Sequence, residues 1–240
     1  MSAQELAGKT AVVTGGSGGI GQAIIQSLQA AGAVAASLDV SPPAQKEIPW
    51  IECDVRKDES VAASVQQFYQ QQGRLDLAIH AAGISSDAVV WKLTVTDWDR
   101  ILEVNLRGAF LLLRRTIPLM RQTGAGRVVL IGSINGSRGK FGTSAYSASK
   151  AGLLGLARTV VRETGRFGIL VNVVEPGWVR TPLTDALPAE IREAAVAETL
   201  LGELLEPSDI ASAVRFLCGP GANRITGQIL RVDAGQVLGG

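Results

Sequence analysis

A tyrosine and a lysine stand four residues apart in the segment AYSASKAG, as Tyr146 and Lys150. The segment has the periodicity of a helix, so we expect both side chains on one helical face. A free phenol has a pKa of about 10, and a nearby ammonium can lower it by roughly 1 to 3 units. The pair could therefore exchange a proton with a substrate near neutral pH. Taken alone, the spacing favours an ordinary pair of residues on a helix surface.

A second segment, TGGSGGIG, runs from Thr14 to Gly21 near the N-terminus. The strand-like residues AVV precede it and the helix-periodic residues IGQAIIQSLQAAG follow it. Glycines in that place allow a tight turn and let the backbone approach a pyrophosphate at the positive end of the helix. The context therefore predicts a dinucleotide site, in preference to a flexible linker or a purely structural turn.

Asp39 supplies the acidic residue that such a site uses, 18 residues beyond Gly21 at the end of the next predicted strand. Its carboxylate can accept hydrogen bonds from the ribose hydroxyls of NAD but would repel the 2′-phosphate of NADP. Neither Gly18 nor Val40 offers a cation that could neutralise such a phosphate. We therefore expect NAD as the cofactor. A solvated carboxylate without a ligand is the alternative.

These residues need a framework to position them, and the chain alternates short apolar segments with longer amphipathic ones. This pattern predicts one α/β domain over residues 1–240, a Rossmann-type doubly wound parallel sheet with helices on both faces. The predicted strands are Thr10–Val13, Ala33–Leu38, Leu75–Ile79, Arg127–Ile131, Ile169–Val174 and Ile229–Val232. The predicted helices are Gly19–Ala31, Glu59–Gln71, Thr96–Gln122, Ala145–Arg166 and Pro207–Leu217.

Proline shapes the less regular segments. Three prolines between Asp39 and Asp54 leave room for little or no helix there, and we expect one weak strand at Trp50–Cys53. Pro118 is expected to kink or end the long third helix. Residues 181–206 combine prolines with a helix-forming run, and we interpret them as a substrate lid. An ordinary surface helical hairpin explains that pattern slightly better.

Composition narrows the function classes. The 240 residues include 46% hydrophobic ones, and 23 basic side chains nearly balance 22 acidic ones. No basic stripe interleaved with aromatics is present, so we expect small-molecule partners and no nucleic acid. One histidine and two separated cysteines, Cys53 and Cys218, support neither a metal site nor a disulfide framework. We find no signal peptide or apolar run of membrane-spanning length, and expect a cytoplasmic protein without a membrane partner.

Together the glycine loop and the tyrosine–lysine pair resemble the motifs of the short-chain dehydrogenase/reductase family. The resemblance runs from about Gly8 to Gly235. The TGxxxGxG loop of the family corresponds to Thr14–Gly21, and its YxxxK pair to Tyr146 and Lys150. The motifs occur in the order and at the spacing of the family. Their joint presence favours a catalytic interpretation of the tyrosine–lysine pair.

The resemblance implies four catalytic residues and the interconversion of an alcohol and a ketone. Tyr146 would exchange the proton with the substrate oxygen, while hydride passes between the substrate carbon and the nicotinamide. Ser133, 13 residues before the tyrosine in LIGSING, would bind the substrate oxygen. Lys150 would bind the nicotinamide ribose and lower the pKa of Tyr146. Asn105 in ILEVNLRGAF would hold a water that links Lys150 to solvent.

The resemblance also implies a set of cofactor contacts. Asp54 would contact the adenine, and the backbone of Val179 in EPGWVRT would hold the nicotinamide carboxamide. Asp39 is added to this set because the glycine-loop pattern predicts it. The full set is Gly15, Ser17, Gly19, Ile20, Gly21, Asp39, Asp54, Val55, Ala81, Ala82, Gly83, Tyr146, Lys150, Pro176, Gly177, Val179 and Thr181.

Two positions depart from the family pattern. The chain has HAAG where the family has NNAG or NAAG, which places His80 at the end of a strand. A buried neutral histidine with a structural partner is favoured over a catalytic one. Glu175 precedes Pro176, where a small or neutral residue is usual. It could bias the site toward a polar or cationic substrate, or form an internal salt bridge with an arginine such as Arg180 or Arg138.

Three other functions compete with an NAD-dependent alcohol dehydrogenase or ketoreductase. The first is a 3-oxoacyl carrier-protein reductase, which would normally use NADPH and a basic patch. The second is a dihydrodiol dehydrogenase, and the third a non-catalytic NAD-binding redox sensor. The resemblance further implies a homo-oligomer, a tetramer or a dimer, that forms through the helices Thr96–Gln122 and Ala145–Arg166. The apolar run GAFLLL in the first of them suits either an interface or the core.

Overall fold

The computed structural model describes residues 4–181, 184 and 188–238 of the chain. Its centre is a sheet of seven strands, each paired in parallel with its neighbours. The strands follow the order β3-β2-β1-β4-β5-β6-β7. They are β1 (Thr10–Thr14), β2 (Val34–Asp39), β3 (Trp50–Glu52), β4 (Leu77–His80), β5 (Gly126–Ile131), β6 (Ile169–Pro176) and β7 (Ile229–Val232).

The order of the strands reverses between β1 and β4. One half of the sheet runs outward from β1 to β3, and the other from β4 to β7. A crevice opens at such a reversal, outside the carboxyl ends of the strands. Thr14 and His80 pair in register at this point, so the residues that follow them lie at the mouth of the crevice.

Helices cover both faces of the sheet, because strand residues alternate between the two sides. Val12 packs in the core with Phe68, Leu112 and Leu153, whereas its neighbour Val13 packs in the opposite core. The helices are α1 (Gly19–Ala30), α2 (Asp58–Gln72), α3 (Val95–Leu102), α4 (Gly108–Thr123), α5 (Ile134–Arg138), α6 (Ser144–Thr164), α7 (Ala189–Ala197) and α8 (Pro207–Cys218). The predicted fold class is thus confirmed.

Most element bounds agree with the sequence patterns to within one or two residues, but the long third helix differs. It comprises α3, a π-helical turn at Glu103–Arg107, and α4. Pro118 lies inside α4 and does not end it. The buried face of α4, which includes Leu112 and Met120, offers a packing gain that offsets the hydrogen bond lost at the proline.

Other connections follow the proline pattern more closely. Residues 40–49 contain no helix, and Pro207 occupies the first turn of α8 as expected. Helix α5 was not predicted. In the expected lid at 181–206, the structure describes α7, while residues 182–183 and 185–187 lie outside the described part of the chain.

Candidate active site

The glycine loop between β1 and α1 is fixed by close approach to its neighbours. Gly15 has a φ of 68°, and a Cβ there would lie 2.5 Å from the backbone of Ala82. A Cβ on Gly21 would collide with the carbonyl oxygen of Gly15. Gly18 precedes α1 and has no side chain to cap the first N–H groups of the helix. The loop therefore forms a backbone cradle at a helix N-terminus, which fits the pyrophosphate of a dinucleotide.

Asp39 ends β2 beside this loop. Its Oδ2 accepts a hydrogen bond from the Ser17 N–H at 3.1 Å, and its Oδ1 one from the Ser41 N–H at 3.5 Å. The Ser17 hydroxyl donates to the Ser41 carbonyl at 2.7 Å. Backbone amides thus hold a partly exposed carboxylate at the edge of the cradle, the place that the ribose of a bound dinucleotide reaches.

The wall of the cradle comes from the strand on the other side of the crevice. Ala81 follows β4, and its N–H donates to the Thr14 carbonyl at 2.9 Å. Ala82 is largely buried against Gly15. Gly83 is exposed, but a Cβ there would lie 3.2 Å from Nζ of Lys150. The segment therefore connects the cradle to the buried lysine.

Ser133, Tyr146 and Lys150 meet at the carboxyl edge of the sheet. Ser133 follows β5 and caps α5, where its Oγ accepts a hydrogen bond from the Asn135 N–H at 3.2 Å. Tyr146 and Lys150 lie in α6, and the Ser133 hydroxyl is close enough to the Tyr146 hydroxyl to lower its pKa. The Lys150 ammonium is 5.6 Å from the centre of the tyrosine ring and donates to the Ile131 carbonyl at 2.8 Å.

Asn105 lies in the centre of the π-helical turn and is fully buried. Its Oδ1 accepts from the Ile84 N–H at 2.8 Å, and its Nδ2 donates to the Ile84 carbonyl at 3.0 Å. The second Nδ2 proton goes to Oγ of Ser149, also at 3.0 Å. Both donors of the amide are therefore used within the protein, so a water could bind Asn105 only by donating to one of its oxygens.

The comparisons with known proteins agree with this geometry. A family model described as enoyl-(acyl carrier protein) reductase matches residues 15–236. The 3-oxoacyl-[acyl-carrier-protein] reductase MabA of Mycobacterium tuberculosis is 34% identical over 231 residues, 96% of this chain and 94% of that protein. The acetoacetyl-CoA reductase of Synechocystis sp. is 38% identical over 227 residues, 94% of this chain and 95% of that protein.

The chain belongs to the short-chain dehydrogenase/reductase family. It is accordingly an oxidoreductase of a family that uses a nicotinamide cofactor. The crystal structure of gox2181 has the same fold, with a TM-score of 0.93, 30% sequence identity and coverage of 98% of both chains. Within residues 4–181, 184 and 188–238, no helix has both the length and the apolar character needed to cross a membrane.

In the protein without bound cofactor, loss of solvation raises the pKa of Tyr146, and the Ser133 hydroxyl opposes this only in part. The expected lowering of this pKa by Lys150 stays a prediction. Burial also lowers the pKa of Lys150 to about 8. Both groups lie in a poorly solvated place, which disfavours the charged form of each.

Asp54 and Val55, at the adenine end of the expected cofactor site, are held by protein contacts. Arg56 binds the Asp54 carboxylate with two hydrogen bonds, from Nε at 2.9 Å and from Nη2 at 2.8 Å. The bonds to Arg56 lower the pKa of Asp54 to about 2. Val55 is buried and packs where a Cβ on Gly108 would lie. The backbone N–H of Arg56 also donates to Oδ1 at 3.1 Å, so Oδ2 is the oxygen that retains a lone pair for an adenine.

The segment after β6 is shaped by the C-terminal residues. Pro176 ends the strand, and a Cβ on Gly177 would lie 2.8 Å from Cα of Asp233. The Val179 carbonyl accepts from Thr184 Oγ1 at 2.9 Å, and the Thr181 N–H donates to the same hydroxyl at 2.8 Å. The close approach of the C-terminal loop thus gives Gly177 a structural reason to be glycine, besides any contact with a cofactor.

Both departures from the family pattern have internal partners. His80 is fully buried, and its ring nitrogens contact Thr14 and the Asn105 carbonyl. Glu175 is also fully buried; it accepts from the Ser137 hydroxyl at 2.6 Å and pairs with Arg231 at 3.6 Å. An internal salt bridge was an expected alternative for Glu175, but neither of the suggested arginines provides it.

Arg138 and Arg180 pair elsewhere, with Glu198 and Glu206 respectively. Sequence reasoning missed Arg231 because it lies on β7, and only the strand order shows that β7 is next to β6. It also missed Ser149, whose hydroxyl donates to the Tyr146 carbonyl at 2.7 Å. Its position one residue before Lys150 was the only available signal.

Proposed function

We propose that this chain is an NAD(H)-dependent oxidoreductase that interconverts a secondary alcohol and a ketone. The observation that carries the proposal is that Ser133 and Tyr146 lie close together beside buried Lys150, at the crevice edge that also bears the glycine cradle. A serine, a tyrosine and a lysine so arranged offer two hydrogen-bond donors to one substrate oxygen and a cation behind them.

The two hydroxyls carry the acid–base chemistry. In the direction of reduction, Ser133 donates a hydrogen bond to the carbonyl oxygen and Tyr146 gives that oxygen its proton. In the direction of oxidation, the tyrosine takes the proton back from the alcohol. The nicotinamide, when bound, supplies the hydride for reduction and accepts it in oxidation. The hydride thus carries both electrons, and Tyr146 carries the proton that it exchanges with solvent.

Lys150 and Asn105 support this exchange. With a pKa of about 8, the Lys150 ammonium can lose and regain a proton near neutral pH, and it would hold the nicotinamide ribose. Asn105 would hold a relay water through an acceptor oxygen, because both of its amide donors are already bound. The proton that leaves Tyr146 is then replaced from solvent.

The charge at the end of β2 supports NAD as the cofactor. The Asp39 carboxylate is oriented by the backbone amides of Ser17 and Ser41, so its oxygens face the loop that would hold the ribose. Ribose hydroxyls can donate to those oxygens, whereas a 2′-phosphate would meet a like charge. Gly15, Ser17, Gly19, Ile20 and Gly21 would bind the pyrophosphate side through the cradle.

The relatives favour one substrate class as the first to test. MabA and the Synechocystis protein are named as reductases of 3-oxoacyl carrier-protein and acetoacetyl-CoA substrates. Both carry a ketone at the carbon β to a thioester carbonyl, so a 3-oxoacyl thioester is the more specific form of the proposed substrate. A redox sensor without turnover is the competing function, and the proposed test decides between them.

The test measures cofactor binding and turnover together. NADH and NADPH are titrated into the protein, and the preferred cofactor is then followed with 3-oxoacyl thioesters, simple ketones and diols. We expect tighter NADH binding, and a fall in kcat of roughly 10² to 10⁴-fold in Tyr146→Phe. Tyr69→Phe is the matched control, because Tyr69 is the other tyrosine of the chain and its hydroxyl bonds to exposed Gln122.

Each alternative has its own outcome. A preference for NADPH would overturn the assignment of Asp39. NADH binding without turnover on any substrate would favour the sensor. Equal turnover by the wild type and Tyr146→Phe would remove the tyrosine from the reaction.

We also propose that the protein is a homo-oligomer. A groove of about 480 Å³ is lined by residues of α3, the π-helical turn, α4 and α6, among them Trp98, Leu106, Phe110 and Leu156. In the run GAFLLL, Leu111 to Leu113 enter the core, while Phe110 is 47% exposed. A second copy of the chain would bury this apolar surface.

A further inference from the structure

His80 is the only histidine of the chain, and the mechanism above does not use it. It ends β4, opposite Thr14 of β1 and Leu130 of β5, and its side chain is fully buried. A Cβ on Gly108 would lie 3.3 Å from Cε1 of the ring, so that glycine makes room for the imidazole against α4. The ring therefore fills a fitted space between the sheet and this helix.

The contacts of the ring determine its tautomer. Nε2 lies 3.2 Å from the Asn105 carbonyl oxygen, which can only accept, so Nε2 carries the proton. Burial, with a further contribution from the Lys150 ammonium, lowers the pKa of His80 to about 3 and keeps the ring neutral. Nδ1 is then an acceptor, and the Thr14 hydroxyl donates to it at 2.8 Å. Both nitrogens are thus satisfied in one fixed orientation.

Asn105 connects the His80 contact to two other parts of the site, the segment after β4 and helix α6. Its amide holds both backbone groups of Ile84, and the adjacent Gly83 packs against the Lys150 ammonium. The same amide donates to the Ser149 hydroxyl, which donates in turn to the Tyr146 carbonyl. A displacement of Asn105 would therefore disturb the supports of both members of the tyrosine–lysine pair.

The hydrogen bond from His80 is made to the π-helical turn. A π-turn is less favourable than a regular helix and tends to occur at functional sites. Here it carries Asn105 at its centre, and the His80 hydrogen bond anchors that residue from the sheet side. We propose that His80 is a positioning residue that holds Asn105, and through Asn105 the Tyr146–Lys150 pair, in the arrangement needed for proton transfer. The inference rests on the proposed function only for its effect on catalysis.

The test compares His80→Gln with His80→Met. The two side chains have the same length and flexibility, but only glutamine can donate to the Asn105 carbonyl. Thr116→Val serves as the control, because it removes a buried hydroxyl that donates to Leu112 within α4, away from this network. This variant shows how a loss of stability in α4 by itself changes the exchange and the turnover.

Hydrogen exchange of the backbone gives a readout that does not depend on turnover. In His80→Met, we expect peptides over residues 82–88 and 103–109 to exchange at least about tenfold faster than in the wild type. His80→Gln should restore most of the protection, and Thr116→Val should leave residues 82–88 unchanged. Unaltered exchange of both segments in His80→Met would overturn the proposal, whatever the substrate proves to be.

Turnover gives the second readout. In His80→Met, kcat should fall at least about tenfold, and the pH at half-maximal kcat/KM should move by more than about 0.5 unit, with NADH binding retained within about threefold. His80→Gln should recover kcat to within about threefold of the wild type. An unchanged kcat and pH profile in His80→Met would refute the positioning role. Absence of turnover in the wild type would instead refute the proposed function and leave the exchange result to decide on His80.

Discussion

Burial of the single histidine makes the stability of the fold depend on pH in a narrow window. An unfolded histidine has a pKa of about 6.5, whereas His80 in the fold has one of about 3. At pH 5 the unfolded chain therefore binds a proton that the folded chain does not. The contribution of neutral His80 to the free energy of unfolding is fully present above about pH 6.5. It is lost progressively as the pH falls from that value toward about 3.

The magnitude follows from the two pKa values. Between pH 7 and pH 5, the difference in proton binding removes about 2 kcal/mol from the free energy of unfolding. No other histidine contributes, because the chain contains one. Lys150, the charged group that acts on His80 through its field, titrates at higher pH, near 8. Carboxylates titrate mainly below this window.

The assay is urea unfolding at pH 7, 6 and 5, at one protein concentration and followed by circular dichroism. The wild type should lose about 2 kcal/mol across the series. His80→Gln has no titrating group at this position and should lose far less, even if its stability at pH 7 is lower. Parallel losses in the two proteins, or a wild type that is equally stable at pH 7 and pH 5, would refute the assignment of a buried neutral imidazole.

Three further predictions concern the cradle, the buried ion pair and the helix surface. Gly21→Ala should destabilise the fold by about 1 to 3 kcal/mol in thermal unfolding and weaken NADH binding, because its Cβ has no room beside the Gly15 carbonyl; wild-type binding by this variant would contradict the cradle. Glu175→Gln should destabilise the protein by about 3 kcal/mol and leave the order of preferred substrates unchanged, because Glu175 pairs with Arg231; a changed order would give it a role in specificity. Phe110→Glu should lower the mass found by light scattering to that of a smaller assembly, and an unchanged mass would place the interface elsewhere.

The parts of the site that the sequence predicted are the parts with local signals. The glycine cradle directly follows β1 and leads into α1, and Tyr146 and Lys150 lie one helical turn apart. For these residues, type and spacing along the chain are enough to predict how they lie relative to one another. The same holds for the alternation of strands and helices, from which the doubly wound sheet was expected.

The parts that the sequence did not predict depend on tertiary contacts. The π-helical turn at 103–107 has no distinctive composition, and its central residue is held by Ile84, Ser149 and His80 from three other elements. The partner of Glu175 became evident only from the pairing of β6 with β7. The rise in the pKa of Tyr146 depends on burial, which spacing along a helix does not report.

The two pKa shifts at the centre of the site have a common cause and a common result. Burial raises the pKa of the Tyr146 phenol and lowers that of the Lys150 ammonium, so each group is driven toward its neutral form. Without cofactor, the site therefore holds a protonated phenol, which is the form that can give a proton to a developing alkoxide. The reverse reaction needs the phenolate, and a positive charge beside the phenol would stabilise it. An oxidised nicotinamide carries such a charge when bound. Under the proposed function, Tyr146 would therefore be protonated for reduction, and a bound oxidised nicotinamide would favour the phenolate that oxidation needs.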